Sequence, residues 1–285
     1  MAEPGFDPQR FFDAYPDFAD SSETGPSLQR LNARYVALIH ANREHLEGAR
    51  VLDLASHDGR FSFAALQNGA SHVVGVELKQ RLVDRALQHM DRYGVAPSRY
   101  EFVRGDIFDV IEQLGLFDVV FCFGILYHLT DHMRLLSEIA VREPRYLILD
   151  SHTSQLDGAL VEIRDAFGGT PPARGSHIEG HPTKAALESM LTSFGWTFKY
   201  FDWHGSGLAD SAHQGDYKSG KRVSLLVACN EHRVPSKQRD RAVREVLEKG
   251  DDPWDRASAI KEIAPKIGMP PEALRFWVRR AQARN

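Results

Sequence analysis

In this chain of 285 residues, three acids stand at or near the ends of apolar runs: Asp53 in "RVLDLA", Glu77 in "HVVGVEL" and Asp106 in "YEFVRGD". After Asp53 the chain reads "LASHDGRF", small or polar through Ala55, Ser56 and His57, with Gly59 free to take a positive φ. Asp53 can accept from a cationic amine, Glu77 can take both hydroxyls of a ribose, and Asp106 lies within reach of an adenine amine. A pyrophosphate would ask for the opposite charge in the first loop, so the pattern points to a cationic nucleoside rather than NAD or ATP. A second set of residues could wall the site or move a proton: Tyr127 and His128 in "FGILYHLTD", and Asp150 and His152 in "LDSHTS". A histidine near its ordinary pKa is the natural base at neutral pH.

The elements that must position these groups alternate in type. Strand-like runs occupy 50–55, 72–78, 100–106, 117–123, 145–151, 197–203 and 222–230, and helix candidates fall at 27–46, 60–68, 79–93, 107–114 and 131–142. This alternation predicts an α/β fold: a doubly wound, seven-stranded, mostly parallel sheet with an antiparallel last strand, plus a small all-α C-terminal tail. Ligands of such sheets bind outside the carboxyl ends of the strands, where all three acids lie. The Gly/Pro-rich segment 152–181 follows the fifth strand and predicts a cover over the site. Phe167 and Ile178, with Trp196 and Trp203, are expected as apolar walls.

No stretch approaches the roughly 18 apolar residues of a membrane span, and "MAEPGFDPQRFF" has no leader pattern. The expectation is a cytoplasmic protein with no membrane partner. Cys122 and Cys229, both in apolar runs, read as buried free thiols. His177, His181, His204 and His213 lack ligand spacing, and no metal is expected. Charge is uneven: residues 1–235 carry 23 Lys+Arg against 31 Asp+Glu, a net of -8, and residues 236–285 carry 12 against 8, a net of +4.

Together these motifs resemble the class I (Rossmann-like) S-adenosylmethionine-dependent methyltransferases over roughly residues 30 to 230. Their first motif reads acid-x-Gly-x-Gly-x-Gly, and Asp53, Ala55, His57 and Gly59 hold those places, with glycine at only one. "VVGVEL" resembles their second motif, "RGDIFD" their third and "FDVVFCFGILYHL" their fourth. The resemblance implies S-adenosylmethionine as cofactor, held by Asp53, Ala55, Ser56, His57, Gly59, Glu77, Leu78, Asp106, Ile107 and Phe123. It also implies methyl transfer to an aligned nucleophile, with His128 or His152 as base and Tyr127 as a wall or base. The acidic 1–235 region lacks the basic field of a nucleic-acid enzyme. An Asn-Pro-Pro-Tyr motif is also absent after the fourth strand. Both favour O-methylation of a hydroxyl or carboxyl on a small-molecule acceptor. "GILYH" also resembles bacterial tRNA wobble-uridine carboxymethyl transferases, which makes a nucleic-acid acceptor the alternative.

In the tail, "RASAIKEIAPKIGMPPEALRFWVRRAQ" (256–282) reads as a helix, a turn at "IGMP" and a second helix starting near Pro270 or Pro271. Ala259, Ile263, Ile267, Leu274 and Trp277 supply contacts, and Arg275, Arg279, Arg280 and Arg284 make the second helix basic. The tail resembles the helix-turn-helix of insertion-sequence transposases, dividing the chain into a methyltransferase domain (1–235) and a helix-turn-helix-like tail (236–285). That tail is either a packing or dimerisation arm, with a possible homodimer, or a DNA-binding unit.

Overall fold

The computed structural model describes residues 6–21, 27–166, 177–210, 212–229, 234–250 and 252–282. The strands are β1 (Arg50–Leu54), β2 (His72–Glu77), β3 (Tyr100–Arg104), β4 (Val119–Phe123), β5 (Tyr146–His152), β6 (Val161–Asp165), β7 (Ile178–Pro182), β8 (Thr197–Tyr200) and β9 (Arg222–Ala228). The helices are α1 (Asp17–Asp20), α2 (Leu28–Leu38), α3 (Arg60–Gln67), α4 (Gln80–Arg92), α5 (Ile107–Val110), α6 (His132–Val141), α7 (Lys184–Ser193), α8 (Gly215–Lys218), α9 (Ser236–Leu247), α10 (Pro253–Lys266) and α11 (Pro271–Gln282).

Seven strands form one sheet in the order β3-β2-β1-β4-β5-β9-β8, with β9 antiparallel to both β5 and β8. The rest of the ladder is parallel, as the alternation of strands and helices predicts. Adjacent residues of each central strand serve opposite layers. Leu52, Val74, Val120 and Leu147 enter one core with Leu135, Leu136 and Ile139 of α6. Val51, Val73, Val119 and Ile148 enter the other with Phe12, Phe18, Tyr35 and Phe63. That period of two, apolar on both faces, is what a sheet covered on both sides requires. The stretch before α2 joins the second core: Phe11 stacks on Tyr35 with ring centroids 4.0 Å apart.

The segment expected to be a covering loop contains a two-stranded antiparallel sheet, β6 with β7, separate from the main one. Phe167 lies outside the described residues. Ile178, Trp196 and Trp203 do not wall the site as expected. Ile178 is exposed, Trp196 stacks on Phe194 at 4.7 Å inside the core, and Trp203 stacks on Tyr217 at 3.7 Å. The two tryptophans are buried in the cores on the faces of the main sheet, where the hydrophobic gain is larger than at a polar cavity.

In the tail, α10 and α11 follow the expected pattern, joined through a turn at Gly268, whose φ is +67°. They do not stand apart. α11 packs on α6, and Val246, Ile263, Leu274 and Val278 share a core with Leu136 and Ile139. Arg239 of α9 reaches Glu143 at 3.1 Å and lies over the Trp277 ring at 4.1 Å. Arg284 lies outside the described residues. Among the described residues no helix is long and apolar enough to cross a membrane.

Candidate active site

The loop between β1 and α3 takes a shape normally reserved for glycine. Ala55 stands at φ +57° and His57 at +54°, alongside Gly59 at +78°. The two missing glycines are therefore replaced in sequence but kept in conformation. A left-handed alanine costs about 1–2 kcal/mol, and histidine is among the residues that tolerate the region better. Part of the compensation is visible: the His57 N–H donates to Glu77 Oε2 at 3.0 Å. Gly59 is required twice, since a Cβ there would meet Ala86 Cβ at 2.9 Å as well as needing the positive φ. It seats α3 rather than lining the cavity.

Asp53, 2% exposed, accepts from Ser62 Oγ at 2.6 Å. Burial, with Glu77 and Asp58 nearby, pushes its carboxyl up to about 7 although the Ser62 bond works the other way. Glu77 is held by two backbone donors, His57 N–H and Lys79 N–H, each at 3.0 Å. Asp106 caps α5 by accepting from Phe108 N–H at 2.9 Å, so it sits just beyond β3 instead of on it. One cation follows this loop, Arg60, and Asp58 neutralises it through contacts of 2.7 and 2.6 Å. Burial raises the Asp58 carboxyl, but Arg60 and His57 hold it well below the usual range. The loop thus stays acidic overall.

A cavity of about 650 Å³ joins these groups to the ends of β4 and β5. Of the expected cofactor residues, Asp53, Ala55, Ser56, His57, Glu77, Leu78, Asp106, Ile107 and Phe123 line it, as do Tyr127, His128 and His152. Ser56 Oγ and His57 Nε2 are buried with no protein partner, which leaves two polar atoms for a bound molecule to satisfy.

At the far end the Tyr127 ring lies among three imidazoles, with centroids 4.1 Å from His128, 4.8 Å from His152 and 5.4 Å from His181. Burial pushes His152 down to about 4, helped by Arg222, and its Nδ1 faces Lys221 O at 3.3 Å. Burial also lowers His128, but Glu179 opposes the shift, with Oε1 at 2.7 Å from His128 Nδ1. That contact is off-line for a hydrogen bond, so the attraction is chiefly electrostatic. Beneath the pocket, Asp150 is completely buried and accepts from Arg222 Nε at 2.7 Å, Arg34 Nη2 at 3.0 Å, Tyr217 Oη at 2.8 Å and Ser224 Oγ at 2.7 Å. Both its oxygens are saturated, so it acts as a brace between α2, α8, β5 and β9 and not as a base.

Sequence reasoning missed the arginines and Glu179. Arg34 sits on a helix whose spacing marks its apolar face, and Arg222 opens a strand, so neither pattern signals a pocket residue. Among the described residues no group of three or more His, Cys, Asp or Glu could hold a metal ion. Cys122 and Cys229 are buried and free.

Residues 45–178 match the family described as "Methyltransferase domain". A ribosomal RNA large subunit methyltransferase I of Enterobacter sp. (strain 638) is 32% identical over 108 residues, covering 36% of this chain and 26% of that protein. Its counterpart in Escherichia coli O139:H28 (strain E24377A / ETEC) is 34% identical over 95 residues, covering 33% and 23%. The chain spans about a quarter of the length of these curated relatives. Among solved structures, the N-terminal domain of EvdMO1, crystallised in the presence of SAH and D-fucose, is 24% identical and superposes with a TM-score of 0.51, covering 66% of this chain and 78% of that one. Residues 45–178 are thus similar to a methyltransferase domain, and the sheet has the Rossmann-like α/β fold of that structure.

Proposed function

We propose that this chain is an S-adenosylmethionine-dependent methyltransferase whose acceptor is a small molecule methylated on oxygen, at a hydroxyl or carboxyl group. The observation that carries the proposal is the single cavity running from Asp53, Glu77 and Asp106 to Tyr127, His128 and His152. When bound, S-adenosylmethionine supplies an electrophilic methyl group on a sulfonium. The residues present fit it: Glu77, held by two N–H groups, would take the ribose hydroxyls, Asp53 would take the amine, and Ser56 Oγ lacks a protein partner. Asp106 and Ile107 would hold the base, and Phe123 would pack against the cofactor.

Methyl transfer asks mainly for alignment, and for removal of a proton where the nucleophile is a hydroxyl. His128 and His152 are both neutral at pH 7 by the direction of their shifts, so either imidazole can accept one. The side chains of Arg34 and Arg222 share the single charge of Asp150. Both arginines line the cavity, so a carboxylate acceptor could meet a guanidinium there.

A second reading draws on the names of the curated relatives, which act on ribosomal RNA. In that reading Arg34 and Arg222 would face a nucleotide, and the basic tail would add phosphate contacts. The tail reading kept with the main proposal is a packing arm, because its apolar side chains are spent on α6. Calorimetry of the full chain with S-adenosylhomocysteine and with NAD tests the cofactor. Labelled methyl transfer to small hydroxy and carboxylic acids, set beside transfer to ribosomal RNA, tests the acceptor. Tight NAD binding would sink the cofactor reading, and label in RNA alone would sink the small-molecule one.

A further inference from the structure

We infer that Glu179 of β7 is a positioning residue for His128, holding that imidazole with its proton on Nδ1 so that Nε2 offers a lone pair to the acceptor. The inference rests on the methyl-transfer reading above and names which of its two candidate histidines is the base. Glu179 bridges two histidines at this end of the cavity: Oε1 lies 2.7 Å from His128 Nδ1, and Oε2 lies 2.9 Å from His181 Nε2. A carboxylate beside one ring nitrogen favours the tautomer with hydrogen there and stabilises the imidazolium that forms when the other nitrogen takes a proton. His152 has no such partner. Its Nδ1 faces a backbone carbonyl, and the guanidinium of Arg222 opposes its protonation.

The surroundings of the pair come from four elements. β7 contributes Glu179 and His181, and β6 contributes Arg164, 3.5 Å from His181 Nδ1 and tied to Glu162 at 2.6 Å. β9 contributes Arg222, whose charge lowers His128, as does that of His181. The turn Leu126–His128 itself contributes Tyr127, whose ring lies tilted against both imidazoles. Glu179 thus favours protonated His128, while Arg222 and the neighbouring His181 ring work against it.

The fold shows how this carboxylate reaches the site. β7 packs on the turn Leu126–His128, and Gly180 makes the approach possible. A Cβ there would lie 2.6 Å from Leu129 O, 3.2 Å from Thr130 Cα and 3.3 Å from His132 Cε1. Two of these atoms are backbone and cannot swing aside, so any side chain at 180 would lift β7 and carry Glu179 away from His128. An isolated glycine within a strand marks such a close approach.

Nitrogen-15 NMR of histidine-labelled full-length protein tests this without an acceptor, with the His128 signal assigned from His128→Gln. In the wild type His128 should be an Nδ1–H tautomer. In Glu179→Gln it should titrate at lower pH and lose that tautomer preference, and Gly180→Ala should reproduce the change with the carboxylate still present. His181→Gln, which removes the other partner, should leave the His128 tautomer in place. Retention of the wild-type tautomer and titration in folded Glu179→Gln would overturn the inference. Calorimetry with S-adenosylhomocysteine serves as the separate arm: unchanged affinity in Glu179→Gln is expected. Absence of binding by the wild type would overturn the methyl-transfer reading, a result on which the tautomer measurement does not depend.

Discussion

The backbone N–H of His57 points at Glu77 Oε2 across 3.0 Å, joining the first loop to the end of the second strand through a residue at φ +54°. The strained backbone and the carboxylate proposed to take the ribose thus depend on one another. Replacing Glu77 by alanine should loosen the loop and remove two charge-assisted acceptors, each worth roughly 1.5–3 kcal/mol. We expect S-adenosylhomocysteine affinity to fall by about 100-fold or more in a folded protein, measured by calorimetry. Unchanged affinity would place the ribose elsewhere.

Ala55 at φ +57° gives a prediction of opposite sign. Glycine pays no Cβ penalty there, while its extra freedom in the unfolded chain offsets part of the gain. Ala55→Gly should therefore raise stability by roughly 0.5–1 kcal/mol. Gly59→Ala should lower it, because the new Cβ meets both a positive φ and Ala86 Cβ at 2.9 Å. Denaturant melts of the two variants decide the matter, and equal destabilisation by both would show that the Ala55 backbone bears no strain.

Asp53 sets a pH dependence. Its carboxyl sits at about 7 in the folded protein against an ordinary 3.8, so as pH rises the unfolded chain releases this proton first. Asp53 therefore takes stability from the cofactor-free protein between about pH 4 and 7, with the loss complete above the folded value. A bound ammonium group favours the ionised form, so S-adenosylhomocysteine binding near pH 6.5 should release a proton, and affinity should rise with pH. Calorimetry in two buffers of different ionisation enthalpy reads that proton directly. Asp53→Asn should abolish the release and weaken binding, and release that persists in this variant would assign the proton to another group.

His128 and His152 separate in turnover. A general base contributes on the order of 10² to 10⁴ in rate, so His128→Ala should lower kcat by that factor with cofactor affinity intact. His152→Ala, which removes an imidazole already pushed down to about 4, should act mainly on KM for the acceptor. The reverse assignment would follow if His152→Ala alone lost kcat.

The order of these elements was legible because strand ends are marked by composition: near-continuous Val, Ile, Leu and Phe runs stop at Asp53, Glu77 and Asp106. Conformation at Ala55 and His57 was not, since nothing in either side chain requires a positive φ; the surrounding hydrogen bonds impose it. The pairing of His128 with Glu179 was hidden for a different reason. β6 and β7 are short and carry charged residues within each strand, so they read as loop, and the contact joins residues far apart in the chain. Gly180 was the available signal. Trp196 and Trp203, which flank β8, were misplaced because an aromatic residue beside a strand is expected to be buried, without its type telling which side of the sheet buries it.

Deletion of residues 236–285 tests how far the tail belongs to the domain. None of the residues lining the cavity comes from the tail, which argues that the cofactor site survives its removal. Yet Val246, Ile263, Leu274 and Val278 are buried in the core that includes Leu136 and Ile139 of α6, and burying an aliphatic side chain fully contributes about 1.5–3 kcal/mol. The Arg239–Glu143 contact, at 3.1 Å and largely shielded from water, adds to that attachment. The truncated chain should bind S-adenosylhomocysteine with wild-type affinity at low temperature. Its melting temperature should drop by about 5 °C or more, since 1 kcal/mol corresponds to about 2–4 °C in a protein of this size, and its newly bared α6 face should promote association. An unchanged melting temperature would make the tail an independent unit. In that case a salt-sensitive shift of random duplex DNA by the full chain, lost on truncation, would identify its partner as nucleic acid.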